Sequence, residues 1–195
     1  MINWLNLLIY VSVLSITPGP NNINCLYLAA KGGFGYIKKF FIGSMSMFMI
    51  KVFLCGYLNV LLATVLPTIT VYLKWAGALY MIYLAWHMAK SGWEEDKENN
   101  SSFESSIKSG IILQLLNGKS WIAALSLYAV YVIPYTQKFI YVLLAMLLFA
   151  LTAAIASLIW AGLGVAIKNL MAKYKKPFGI IMGLGLVYCA VTAVI

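Results

Sequence analysis

Arginine is absent from this 195-residue chain, histidine occurs once and acidic residues five times, so charged residues make up only 10%. A water-soluble domain carries about a quarter, and so sparse a charge cannot cover the surface of a soluble globule. The three cysteines, Cys25, Cys55 and Cys189, sit inside apolar runs without CxxC spacing. That excludes a disulfide framework or a cysteine metal site and leaves them as small buried hydrophobes. With a single histidine, His87, and all five acids between Glu94 and Glu104, no nucleophile–base pair or metal cluster can be assembled. An enzyme, a metal and an organic cofactor are therefore not expected.

What the chain does have is apolar residue, 63% of the total. A membrane-spanning helix takes roughly 20 mostly apolar residues, and the apolar stock matches six with little left over. The runs fall at 3–30, 40–65, 69–89, 110–133, 138–166 and 177–195. The ten-residue alternation of a transmembrane β-barrel is missing, so the expected fold is an all-α integral membrane protein of six helices. The first run has no basic segment before it and no Ala-x-Ala site after it, which reads as a retained helix rather than a cleaved signal peptide.

All fourteen cations are lysine. Lys31, Lys38, Lys39, Lys90, Lys97, Lys108, Lys168, Lys173, Lys175 and Lys176 lie in the first, third and fifth connections. Only Lys74 and Lys138 flank the opposite side, and Lys51 and Lys119 lie within spans. This bias places the odd connections in the cytoplasm and both termini outside it. Lysines lying mostly in gaps between apolar runs form no basic face, so the net charge of +9 reflects topology and not nucleic acid. Trp4 and Trp75 are expected at the outer membrane interface, Trp86 and Trp93 at the inner one.

The one long polar segment, residues 91–109, reads as a cytoplasmic linker between two halves, 1–90 and 110–195, of a single domain. Three spans per half make the second half cross in the opposite sense, the arrangement of an inverted repeat. Small residues at Gly179, Gly183 and Gly185, and at Ala153, Ala154, Ser157 and Ala161, offer close-approach faces. They serve either the internal bundle or a homodimer.

Polar residues inside the spans gather at two places. In Ser15-Ile-Thr-Pro-Gly-Pro-Asn-Asn22, Pro18 and Pro20 lack N–H donors and clash with the carbonyls of Leu14 and Ile16. Thr17 and Gly19, each before a proline, are pushed out of helical geometry. The first helix therefore breaks into 3–16 and a second piece starting near Pro20, a favoured first helical position. Irregular backbone at membrane depth persists only where protein buries it or water lines it. The break leaves carbonyls on one side and the N–H groups of Asn21, Asn22 and Ile23 on the other, a pattern suited to the ammonium and carboxylate of a zwitterion. A plain structural kink is the alternative. The matching interruption is Leu116-Asn-Gly-Lys-Ser-Trp121 in the fourth span, with Asn117, Gly118 and Lys119 at its centre. Paired interruptions in two halves point to a transport site. Gly118-Lys119-Ser120 resembles the end of a phosphate-binding loop, but that pattern needs a glycine where Leu113 stands, so no ATP site is expected. Lys51, midway along the second span without an acidic partner, is a substrate contact, a proton carrier or a snorkelling residue. His87 is expected at the inner interface.

These motifs carry a resemblance. Thr17-Pro-Gly-Pro-Asn-Asn22, Trp75-Ala-Gly-Ala-Leu-Tyr-Met-Ile-Tyr-Leu-Ala-Trp86 and Leu115-Leu-Asn-Gly-Lys119 resemble the lysine-exporter (LysE/RhtB) family of bacterial amino-acid efflux transporters, over nearly the whole chain. Leu186-Val-Tyr-Cys-Ala190 adds a likeness to the cysteine and O-acetylserine exporters within it. The resemblance implies a secondary transporter in the bacterial plasma (inner) membrane, driven by the proton motive force, with an amino acid and the lipid bilayer as its partners. Its substrate-binding positions would be Thr17, Pro18, Gly19, Pro20, Asn21, Asn22, Asn117, Gly118 and Lys119, to which the bottom-up reading adds Lys51. Gly118 stands where the family has proline, so a softer second break is expected. Small neutral amino acids are the expected cargo, because a cationic side chain would want an intramembrane carboxylate. Exporters of lysine, threonine, homoserine or leucine, a passive channel and a membrane scaffold are the alternatives.

Overall fold

The computed structural model describes residues 2–90, 104–136 and 138–194. Regular structure among them is helical throughout: α1 (Trp4–Ile16), α2 (Pro20–Tyr57), α3 (Asn59–Lys90), α4 (Ile107–Leu115), α5 (Gly118–Tyr131), α6 (Phe139–Ala166), α7 (Lys168–Lys173) and α8 (Lys175–Val194). Most of the expected linker, residues 91–103, lies outside the described residues, as do Trp93 and Lys97.

The N-terminal helix begins and ends where its sequence dictates. Asn3 caps it, its side chain accepting from the Asn6 N–H at 3.1 Å. Ile16 ends it ahead of the two prolines, and α2 starts on Pro20. Two other boundaries differ from expectation. The connection expected at 31–39 is a single corner: α2 continues through it, and only Gly33 leaves helical geometry, at φ 74°, ψ −171°. Glycine alone adopts that conformation freely, so the chain turns at one residue and continues as a second rod. The turn expected at 66–68 falls instead at Leu58, and Pro67 lies within α3. The segment around Leu58 is apolar, so hydropathy carries no sign of the turn. Gly56 beside it packs against Tyr128 and Val142, where a side chain would not fit.

Helices α2 and α6 are each long and apolar enough to cross a membrane, and the bent pair α4–α5 makes a third candidate span. On α6, Leu147, Leu151, Ile155 and Ile159 are exposed at four-residue intervals. This is a stripe that water would disfavour and lipid would cover. Trp4, Trp75 and Trp86 are exposed as well.

Helices meet through glycine. Gly43 and Gly110 bring α2 and α4 into backbone contact, and Gly164 rests on the Leu26 carbonyl of α2. Gly179 meets the Met88 carbonyl and Gly183 the Ala85 carbonyl, so these two small residues serve the α3–α8 contact inside the chain. Glu104, within the expected linker, packs against the helices. It is 7% exposed, with its carboxylate 3.9 Å from Lys31 Nζ; docking of the α4 N-terminal segment on α2 brings the charges together.

The core has two apolar clusters. One joins Ile23–Phe40 of α2 to α3 and α8 through Tyr27, Leu84 and Leu186. The other joins α1, the end of α2, α5 and α6 through Leu7, Val52, Leu127 and Phe149. Each element that passes from one cluster to the other carries polar residues between them: Thr17–Asn22, Ser44, Asn117–Ser120 and Ser157.

Candidate functional site

Both helix interruptions lie in this polar layer, side by side. At the first, Thr17 (φ −59°, ψ 142°) and Gly19 (φ −164°, ψ 168°) are extended, as residues preceding proline should be. At the second, α4 and α5 meet at 61°. The bend is sharp without a proline because Asn117, at ψ 89°, leaves helical geometry and neighbouring groups hold it there. Gly77 of α3 lets the Leu116 carbonyl approach its backbone, and Ser120 Oγ donates to the Asn117 carbonyl at 2.9 Å.

Carbonyls freed at a broken helix need donors. Asn22 Nδ2 donates to the Ser15 carbonyl at 2.8 Å and the Thr17 carbonyl at 3.1 Å. Trp160 Nε1 donates to the Ile16 carbonyl at 3.1 Å, and Thr17 Oγ1 to the Leu14 carbonyl at 2.8 Å. Lys119 reaches across from the second interruption, donating to Thr17 Oγ1 at 2.6 Å and the Pro18 carbonyl at 3.4 Å. The second interruption is closed in the same manner. Trp121 Nε1 donates to the Leu115 carbonyl at 2.8 Å, and Lys51 Nζ to the Gln114 carbonyl at 2.8 Å and to Ser120 Oγ. At each break one tryptophan and one lysine hold the carbonyl end, and each lysine comes from the opposite half of the chain.

The carbonyls expected to receive an ammonium group are thus occupied by the protein's own donors. The N–H ends differ. Neither α2, capped by Gly19, nor α5, capped by Asn117, receives a hydrogen bond from its cap side chain. Both present first-turn N–H groups and the positive end of a dipole.

Two cavities flank the breaks. A cavity of about 60 Å³ is lined by Ser15, Thr17, Asn22, Gln114, Lys119 and Ser157 among others, with room for water. One of about 250 Å³ is lined by Pro18, Tyr80, Leu116, Lys119, Cys189 and Thr192 among others. That is slightly below the roughly 300–1,000 Å³ that holds drug-sized ligands, a size suited to a small solute. Gly19, Asn117 and Lys119 line both, so the bond from Lys119 to Thr17 lies in the partition between them.

Of the ten residues picked from sequence, nine belong to the two interruptions, and the fold brings these together. Lys51 stands behind them. It is fully buried, lines neither cavity, and lies 5.7 Å from the Phe48 ring centroid and 5.4 Å from that of Trp121. Sequence reasoning missed Ser44, Gln114, Trp160 and the polar role of Ser157, and gave Ser120 no role beyond its place in the motif. Ser44 Oγ donates to Asn21 Oδ1 at 2.6 Å, and Asn21 Nδ2 donates to Ser157 Oγ at 3.0 Å, tying α2 to α6. The only signal of Ser44, Gln114 and Ser157 is a polar residue in an apolar run. His87 packs edge-on against Tyr83, 4.4 Å between ring centroids.

Comparison with known proteins identifies a family. The family model described as LysE type translocator matches residues 12–195. The cysteine/O-acetylserine efflux protein of Escherichia coli (strain K12) is 33% identical over 184 residues, covering 93% of this chain and 92% of the relative. The protein of that name from Shigella sonnei (strain Ss046) gives the same figures. That from Escherichia coli O1:K1 / APEC is 32% identical over 182 residues, with 93% and 92% covered. No solved structure matches.

Proposed function

Because the chain belongs to the LysE type translocator family, we propose that it exports small neutral amino acids of the cysteine and O-acetylserine kind, driven by the proton motive force. The observation that carries this reading is the meeting of the two interruptions at Lys119, a cation shared by two cavities. The substrate carboxylate takes Lys119 and the uncapped N-terminal ends of α2 and α5. In doing so it releases Lys119 from Thr17 and the Pro18 carbonyl, which opens the partition. One set of hydrogen bonds replaces another, so a modest binding energy is enough to shift the equilibrium between closed and open forms. The absence of a carboxylate among the residues lining either cavity favours neutral cargo over lysine.

The same reading makes six passes of the membrane: α1 with the first rod of α2, the second rod of α2, α3, the α4–α5 pair, α6 and α8. Three lie on either side of residues 91–109, related as an inverted repeat, and the matching tryptophan and lysine at each break support the pairing. Lysine placement supports an inner-membrane orientation with both termini outside the cytoplasm.

Efflux from proteoliposomes loaded with labelled cysteine, O-acetylserine, threonine, homoserine, leucine or lysine is the test, with and without an imposed proton gradient. Cysteine and O-acetylserine should move fastest and accumulate against their gradient only when protons can flow. Gradient-independent leakage of every amino acid would indicate a channel, and no flux of any of them would end the proposal.

A further inference from the structure

A zwitterion at these breaks meets unequal surroundings. Donors abound in Lys119 and the two uncapped helix ends. Acceptors are already engaged: the carbonyls of Ser15, Ile16, Thr17 and Gln114 hold Asn22, Trp160 and Lys51. Asn21 Oδ1 accepts from Ser44, and Asn22 Oδ1 from Ser157. Release of Lys119 frees Thr17 Oγ1 and the Pro18 carbonyl, but an ammonium group entering with the carboxylate brings three donors and needs a further acceptor.

Gln114 has one. Its Oε1 is buried with no hydrogen-bond partner among the described residues. The side chain is 2% exposed and lines the smaller cavity beside Lys119. A buried amide oxygen without a donor is uncommon and calls for a physical account; a ligand that brings the donor provides one. The residue is also held in place, since Lys51 grips its main-chain carbonyl in the last turn of α4. A glutamate at this position would pair with Lys119 and leave the incoming ammonium competing for it. A neutral amide keeps its acceptor open.

We propose that Gln114 receives the α-ammonium group of the substrate while Lys119 holds its carboxylate, and that Gln114 therefore makes an α-amino group a requirement for transport. This rests on the reading of the protein as an amino-acid exporter, and it adds a selectivity residue that neither the break motifs nor the family likeness points to.

The test compares cysteine with 3-mercaptopropionate, which is cysteine without its ammonium group, as competitors of labelled cysteine efflux from proteoliposomes. For the wild-type protein the analogue should compete roughly ten- to a hundredfold more weakly, the range expected when a charged group loses a hydrogen bond. In Gln114→Met, cysteine should weaken by that factor, the analogue should keep its strength, and the ratio should fall to about one. Gln114→Asn, which keeps the amide on a shorter stem, should retain part of the discrimination and serves if the Met variant fails to insert. Equal competition by the two compounds in the wild type would overturn the inference, and so would variants that weaken both compounds equally or leave the ratio unchanged. Wild-type vesicles that move no amino acid would instead overturn the export reading itself.

Discussion

Lys51 shows how a single side chain separates a structural from a working role. Its ammonium is fully buried without an acid beside it, a placement costing several kcal/mol. Two hydrogen bonds to a charged group return about 1.5–3 kcal/mol each, and the faces of Phe48 and Trp121 add roughly 1–2 kcal/mol. The terms nearly cancel. Lys51→Met should therefore unfold at close to the wild-type temperature, measured in detergent, while efflux falls roughly tenfold because the second bend is no longer held. A midpoint lower by about 6–12 °C, which corresponds to about 3 kcal/mol in a chain this size, would make Lys51 a structural pin instead. Residues of this kind were legible in the sequence when they broke a rule: a charge in a span, two prolines around a glycine. Ser44 and Ser157 broke none. Hydroxyls in apolar helices commonly bond their own backbone, so nothing in the run distinguishes the two that bridge α2 and α6.

At the level of the helices, proline announced one break and its absence did not prevent the other. The first interruption begins and ends where Pro18 and Pro20 require. The second was expected to be softer, yet it bends by 61°, because Lys51 and Trp121 supply donors to carbonyls that an unbroken helix would have bonded itself, and Ser120 adds a bond to the Asn117 carbonyl at the start of α5. Ser120 and Trp121 are local to the motif, but Lys51 comes from α2, 63 residues away, and no local pattern reveals it. The corner at Gly33 was hidden for the opposite reason: three glycines and a lysine nearby resembled a loop, and one residue sufficed. No heavy atom lies near the place a Gly33 side chain would occupy, so Gly33→Ala carries backbone strain alone. The variant should lose about 1–3 kcal/mol, read as a lower unfolding midpoint, and Gly35→Ala, also in open space but at an ordinary backbone conformation, should lose less. Equal losses would contradict the corner.

Taken whole, the chain places its polar matter in a sheet between two apolar clusters, with lysines at the ends of the rods. Composition alone foretold a membrane protein. It did not foretell that α3 would run 32 residues, about 48 Å at 1.5 Å per residue against a hydrocarbon layer of about 30 Å. A helix that long tilts or extends beyond the layer, which apolar-run counting cannot distinguish from two shorter segments. Orientation is testable on intact cells through single cysteines in a background where Cys25, Cys55 and Cys189 are serine. A cysteine at Asn3 or Thr192 should react with a membrane-impermeant maleimide, and one at Lys38 or Lys173 should not until the membrane is opened. The reverse pattern would invert the topology.

The exchange of lysines between the two breaks bears on how the molecule is made. While the ribosome has released only residues 1–90, the Pro18 carbonyl awaits Lys119, and Lys51 has neither the Gln114 carbonyl nor Ser120 to hold. A first half inserted alone would hold an ammonium without these acceptors and main-chain oxygens without these donors, a condition that membranes penalise heavily. The later segment completes the earlier one and is completed by it. A defect in either interruption accordingly leaves its mark on the biogenesis of both.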